Sequence, residues 1–265
     1  MANSLPSSIG AINLLPPEEK RRIYTAIIPP VLLDQFKLDP DSLSLGEGCD
    51  LLELFCPSGS SSLELSLFHQ AGFPDPVMYG HITDTLQGQL HILLYILNNP
   101  DSPRFDIDRL PDGTPTNLGA DHRNIAAEIA AMKAGLSPGQ VREGLHILQD
   151  AAVTFETFVG ALGHDFYFTE PLYYHNALIF ERYGFAYQQG RKLMERISQG
   201  FAPGGDLLAK LDGSTPFRSP QAASSVRLRS WAIHDGILGK PFNHVTMYKR
   251  VGKHAGVSTC PNCRW

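Results

Sequence analysis

Residues 63–97 read LELSLFHQAGFPDPVMYGHITDTLQGQLHILLYIL, and this stretch decides the class of fold. Leu63, Leu65 and Leu67 alternate with Glu64 and Ser66, the period of two expected of a half-buried strand. Val77–Asp84 and Leu90–Leu97 are further apolar or alternating runs, set apart by the turn residues Gly72-Phe73-Pro74 and Gln87-Gly88. His91–Leu97 lacks alternation, which predicts a central strand covered on both faces. Asp50–Cys56 on one side and Phe105–Asp108 on the other extend the series, and gaps this short favour an antiparallel meander.

Towards the C-terminus the pattern changes after the breaker-rich loop Leu110–Gly119. A helix is expected over Ala120–Ala134, closed by Gly135. Ser137-Pro138-Gly139-Gln140 then supplies an N-cap serine, a proline at the first helical position and a glutamine at N3. The helix it opens would carry Val141, Leu145, Leu148, Ala152, Phe155, Val159 and Leu162 as one apolar stripe, ending at Gly163. A longer helix is expected from Pro171 to Gln199, a loop from Gly200 to Pro220, and strands over Val226–Ile233 and Phe242–Val251. Towards the N-terminus, Pro17–Ile28 reads as a short helix stopped by Pro29-Pro30, with a second apolar stretch over Val31–Phe36. The pattern is that of an α+β protein with an antiparallel, strand-rich N-terminal half and a helical C-terminal half packed on the sheet. Residues 1–47 form an N-terminal helical extension. Residues 48–265 form a single domain: strands to 110, helices over 120–200, and a loop/strand segment over 201–265.

The chain has 265 residues, 43% of them hydrophobic and 18% charged, enough for a substantial core. The longest strongly apolar run is Ile92–Leu97, against roughly 20 residues for a membrane helix, and no basic stretch precedes an apolar one at the start. A cytoplasmic protein without a membrane partner is the expectation. The net charge of −5 is unevenly spread. Residues 201–265 hold nine Lys/Arg against three acids, a net of +6, which leaves −11 on the first 200. That polarity points to a small anionic partner for the basic part. The acidic remainder and the lack of a reading motif count against nucleic acid. Self-association is left open.

Candidate chemistry follows from histidine, cysteine and aromatic placement. Cys260-Pro261-Asn262-Cys263 has the C-x₂-C spacing of two thiolates on one tetrahedral zinc, with the further ligands to come from elsewhere. Asp121-His122, His164-Asp165 and His234-Asp235 set histidine beside aspartate, and Glu170 and His175 flank an aromatic run. Such pairs suit a divalent metal or general acid–base work. Residues 166–187 hold nine of the 25 aromatic residues and could line an apolar pocket. Asp212–Arg218, with Arg227, Arg229 and Lys240 following, is rich in donors for a phosphate or carboxylate.

Two resemblances attach to these residues. The His-Asp doublets resemble the metal-binding pair of the HD phosphohydrolases, although only the dipeptide matches. Asn176–Phe185 resembles a fragment of the acetyltransferase pattern near acetyl-CoA, without the Gly-rich pyrophosphate loop that should precede it. Neither resemblance is adopted as the reading of the sequence. The expectation from the residues is a metal-assisted, hydrolase-like enzyme acting on a small anion. His164, Asp165, Glu170, His175, His234 and Asp235 are its catalytic candidates. Arg218, Arg227, Arg229 and Lys240 would hold the anion, and His175, His234, Cys260 and Cys263 a metal, zinc first. The alternative is a non-catalytic ligand-binding or sensory protein with a structural zinc at the cysteine pair.

Overall fold

A computed structural model of the chain describes residues 5–44, 49–117 and 122–265. The protein is α+β. Among the described residues seven strands follow the order β1-β2-β3-β4-β5-β7-β6, and the chain divides into two compact units. Among the described residues no helix is long and apolar enough to cross a membrane.

The first unit (1–101, 144–170 and 248–254) contains the antiparallel meander expected from the sequence. β1 (Leu52–Phe55), β2 (Ser62–Leu67), β3 (Met78–Asp84) and β4 (Leu90–Leu97) pair in succession, each antiparallel to the last. Leu63, Leu65 and Leu67 are fully buried, so the period of two in β2 reports its core face. α1 (Ile9–Ile12), α2 (Pro17–Thr25) and α3 (Pro30–Phe36) precede the sheet. Asp84, the last residue of β3, accepts the N–H groups of Ile9 (2.9 Å) and Gly10 (2.8 Å), the orphan donors at the start of α1. Asn13 adds two bonds to the carbonyls of Ser60 and Ser62.

α5 (Leu148–Ala161) and β5 (Phe166–Thr169) complete this unit with the first part of a parallel crossover. The helix expected from Val141 begins only at Leu148. Gly139 and His146 have φ of 82° and 59°, in the left-handed region. Gly144 pairs with Asn98. The Arg142 guanidinium is buried on the carbonyl of Ser102. Each of these contacts takes residues 139–147 out of helical geometry, and the apolar stripe survives only in its second half, where Phe155, Val159 and Leu162 are buried. β5 itself was not expected, because its four residues are aromatic on both faces and carry no alternation.

The second unit (102–143, 171–247 and 255–265) is mainly helical. α4 (Ile125–Lys133) is capped by Asn124, whose side chain accepts from Ala127 N–H; the first residues expected in that helix lie outside the described residues. The long helix expected over Pro171–Gln199 is three elements: α6 (Tyr174–Arg182), β6 (Ala186–Gln189) and α7 (Arg191–Gly200). Gly184 and Gly190 are the reason, at φ of 82° and 94°. At Gly190 a Cβ would also come within 2.8 Å of Val245 Cα. α8 (Asp206–Ala209) and a 3-10 turn (Pro220–Ser224) lead into α9 (Val226–His234), which replaces the strand expected there. Ser225 caps α9 by accepting from Leu228 N–H, and the helix buries Val226, Arg229, Ser230, Trp231, Ala232 and Ile233. The alternating arginines of 226–230 imitate a strand because Arg229 is buried against polar partners and does not face water. β7 (Thr246–Arg250) confirms the later strand over a shorter range, and Phe105–Asp108 is irregular. Ile107, Ala131, Leu136, Phe217 and Trp231 form the core of this unit, with Trp231 Nε1 donating to the carbonyl of Leu136 at 2.8 Å.

Candidate functional site

Two of the candidate histidines meet, and they do so through a tyrosine. His175 lies in the first turn of α6 and His234 at the last residue of α9. The Tyr173 ring stacks on His175 (centroids 5.8 Å apart, 22° between planes) and meets His234 edge-on at 5.6 Å. His175 Nδ1 is 2.9 Å from the Ser230 hydroxyl, and both residues are buried. Burial pushes the His175 imidazole down to about 3, so it is neutral at ordinary pH.

His234 Nε2 lies 3.2 Å from Glu128 Oε1. Glu128 is 2% exposed, the acid of the alanine-rich helix α4, and it also accepts from the Arg123 guanidinium. Burial pushes its carboxyl up, but the bonds from His234 and Arg123 outweigh this and hold it below the usual carboxylate range. Arg123 continues to Asp235 at 3.2 Å, and Asp235 accepts from Arg218 Nε at 2.9 Å and from Thr215 at 2.8 Å. The result is a run from His234 to Arg218 in which acids and bases alternate. Among the described residues no group of three or more His, Cys, Asp and Glu side chains is arranged to hold a metal ion. Within this set His175 Nδ1 is engaged by Ser230 and His234 Nε2 by Glu128.

The other candidates are placed differently. His164 and Asp165 belong to the first unit, His164 with Nε2 on the carbonyl of Ser7 and Asp165 exposed, its carbonyl accepting from Val251 N–H. Asp121 lies outside the described residues. Of the four basic candidates, Arg218 is paired to Asp235 and Arg227 donates to the carbonyls of Met132 and Leu136. Arg229 Nη1 lies 3.2 Å from Cys260 Sγ and 2.9 Å from Cys263 Sγ, and Lys240 is exposed. Cys260 and Cys263 are joined as a disulfide.

The remaining candidate, Glu170, leads to a second locality in the first unit that the sequence did not single out. β5 pairs with β4 at only two positions, His91 with Phe168 and Ile92 with Thr169, in parallel. Glu170-Pro171 follows at once, and proline has no N–H to continue a ladder. Leu93–Leu97 therefore have no strand partner on that flank among the described residues. At the same level the pairing of β4 with β3 is irregular: Ile92 faces Ile82 and Leu94 faces His81, which leaves Leu93 as an extra, bulged residue. Bulges of this kind aim backbone groups away from the ladder and recur beside active sites. His91–Leu97 are each only half-buried, so the strand is central in order but is not sealed on both faces as its composition predicted.

On β4, His91 Nε2 and the Tyr95 hydroxyl are buried without a hydrogen-bond partner among the described residues. Burial holds His91 below the ordinary imidazole value, with Glu170 pulling the other way from 3.9 Å, and burial pushes the Tyr95 phenol up. A neutral imidazole with a free nitrogen, a carboxylate within ion-pair range and an unpaired stretch of strand backbone can accept a proton next to an extended ligand. The sequence signal for this site was present but weak: a histidine and a tyrosine inside an otherwise aliphatic strand.

No family model, curated protein or solved structure matches the chain.

Proposed function

We propose that the chain is an acyltransferase-like enzyme that takes an acyl thioester along the open flank of β4. The observation that carries this reading is the early departure of β5, which leaves Leu93–Leu97 without a strand partner on that flank among the described residues, beside a bulge at Leu93. In sheets with a parallel pair, ligands favour the crevice at the carboxyl ends of strands where the chain changes direction. An extended arm with amide groups, such as the pantetheine of coenzyme A, would continue the ladder there by strand addition. The half-buried aliphatic side chains of β4 would cover its methylene groups. Asn176–Phe185, which resembles the acetyltransferase pattern, follows in sequence as α6.

In this scheme His91 Nε2 accepts the proton of an attacking amine as the C–N bond forms and the C–S bond breaks. The departing sulfur takes that proton, and Glu170 stabilises the imidazolium in between. The chain departs from the acetyltransferase pattern at the phosphate end. The Gly-rich loop is absent, and Asp150 occupies the first turn of α5. The arm, not the pyrophosphate, then supplies the affinity. Acetyl-CoA and S-acetylpantetheine should bind with dissociation constants within a few-fold of each other by calorimetry. Each should acylate members of an amine panel by mass spectrometry, with His91→Ala slowing transfer about 10²–10⁴-fold. Failure of both thioesters to bind overturns the proposal. Binding without transfer to any acceptor supports the non-catalytic ligand-binding alternative.

Metal-assisted hydrolysis at His175 and His234 is the second reading, favoured by their convergence on Tyr173. Elemental analysis after zinc loading tests it: less than a tenth of an equivalent retained, in wild type and in His175→Ala alike, removes it.

A further inference from the structure

The basic residue Arg229, expected to bind an anion, is engaged with sulfur. Its guanidinium is buried, 8% exposed, on α9. Nε and Nη2 donate to the carbonyl of Ala223, and its face lies over the Phe201 ring at 5.0 Å. Nη1 lies against the sulfurs of Cys260 and Cys263, and the guanidinium also acts on the Tyr174 hydroxyl. It forms no ion pair with a carboxylate among the described residues. A buried guanidinium without a counter-ion is costly, and a thiolate would supply the missing charge. Cys260 Sγ has a second donor, the Ser198 hydroxyl at 3.5 Å. Both cysteines are partly exposed, which leaves them open to a small reagent. The tail that bears them is tied down: Val226 N–H donates to the carbonyl of Arg264 at 2.7 Å, and Thr259 donates through N–H (3.0 Å) and hydroxyl (2.6 Å) to Glu181.

We propose that Cys260–Cys263 is a thiol–disulfide exchange site, with Arg229 as the counter-ion of the thiolate released on reduction. The co-reactant is a low-molecular-weight thiol of the glutathione class. Its thiolate attacks Cys263 Sγ and forms a mixed disulfide. The Cys260–Cys263 bond breaks, and the electron pair stays on Cys260 as a thiolate facing Arg229 and Ser198. A second thiol molecule attacks the mixed disulfide. The products are one small-molecule disulfide and the protein dithiol, the two protons coming from the two thiols. The other titratable groups nearby are Glu181, one residue from Cys260 through Thr259, and Tyr174. Burial pushes the Tyr174 hydroxyl up to about 12 while Arg229 pulls it down. Glu181 opposes the thiolate, but three donors hold it: both groups of Thr259 and the Tyr187 hydroxyl at 2.6 Å.

The fully reduced whole protein provides the test, with Cys49 and Cys56 as internal references, since both are free cysteines in the oxidised chain. Iodoacetamide labelling followed by peptide mass spectrometry at pH 6.5 should modify Cys260 at least tenfold faster than Cys49. Arg229→Gln should abolish that difference, and Arg229→Lys should keep part of it. Oxidised protein treated with glutathione should yield a mixed disulfide mapped to Cys263. If the wild-type pair labels no faster than Cys49 the proposal fails, and this comparison needs no variant that might not fold. It also fails if the reduced protein retains one zinc per chain that protects both cysteines.

Discussion

His175 and His91 are both buried imidazoles held below the ordinary value by burial, yet their surroundings differ in kind. His175 has Ser230 on Nδ1 and Tyr173 stacked on its ring, and through Tyr173 it adjoins a run of charges in which acids and bases alternate. His91 has a buried Nε2 with no hydrogen bond among the described residues, on a strand whose neighbour leaves after two pairs. Buried polar groups normally find partners, so the exception is the more informative of the two. A satisfied network stabilises a fold; an unsatisfied group beside open backbone is a place where a ligand can complete the bonding. The difference argues that the histidines most visible in the sequence support the architecture and that a less visible one is closer to chemistry.

The largest test of this contrast is Glu128→Ala. It removes the buried carboxylate that Arg123 and His234 share, and should cost about 3–5 kcal/mol in urea denaturation. Binding of S-acetylpantetheine by the folded fraction should be unchanged. A loss below about 1 kcal/mol would mean that water already serves these charges.

Next in size is the pH dependence set by His175. Its folded pKa, about 3, lies below that of the free side chain, so between roughly pH 6.5 and 3 the unfolded chain binds the extra proton. Stability is therefore full above pH 6.5 and falls as the pH drops, by about 1.4 kcal/mol per unit, or roughly 2 kcal/mol by pH 5. The carboxylates with lowered values, Glu128 among them, act only at lower pH, where they lose charge. Denaturation midpoints measured from pH 7 to 5 should slope in wild type and slope less steeply in His175→Gln, where the lowered His91 supplies what remains.

Ser225→Ala removes the N-cap of α9, the helix that presents Arg229, Ser230 and His234, and should cost about 1 kcal/mol. The smallest effect has the opposite sign. Tyr95→Phe deletes a buried hydroxyl that has no partner, so stability should stay level or rise by up to about 1 kcal/mol. A clear loss of stability on this change would show that the hydroxyl is satisfied, and the contrast with His175 would weaken.

Much of the first unit was legible because strand periodicity and burial agree. Leu63, Leu65 and Leu67 face a core, and the turn residues between β2, β3 and β4 stand where the chain reverses. The helices were legible only where local signals were not overridden. Glycine at positive φ at 184 and 190 turned one expected helix into helix, strand and helix, and a buried Arg142 with a left-handed His146 delayed α5. At 226–230 the pattern itself was ambiguous, because a buried arginine breaks the rule that charge marks the solvent face.

The amino-acid sequence by itself determined the α+β composition, the antiparallel meander and the polarity of charge, since these depend on residue type and spacing along the chain. Tertiary structure alone decided which polar side chains are paired. Arg229 beside two sulfurs, Glu128 between Arg123 and His234, and a β4 flank left open by Pro171 all depend on segments distant in sequence. Whether a buried polar group is satisfied is a property of its neighbours in space, and no local pattern encodes it.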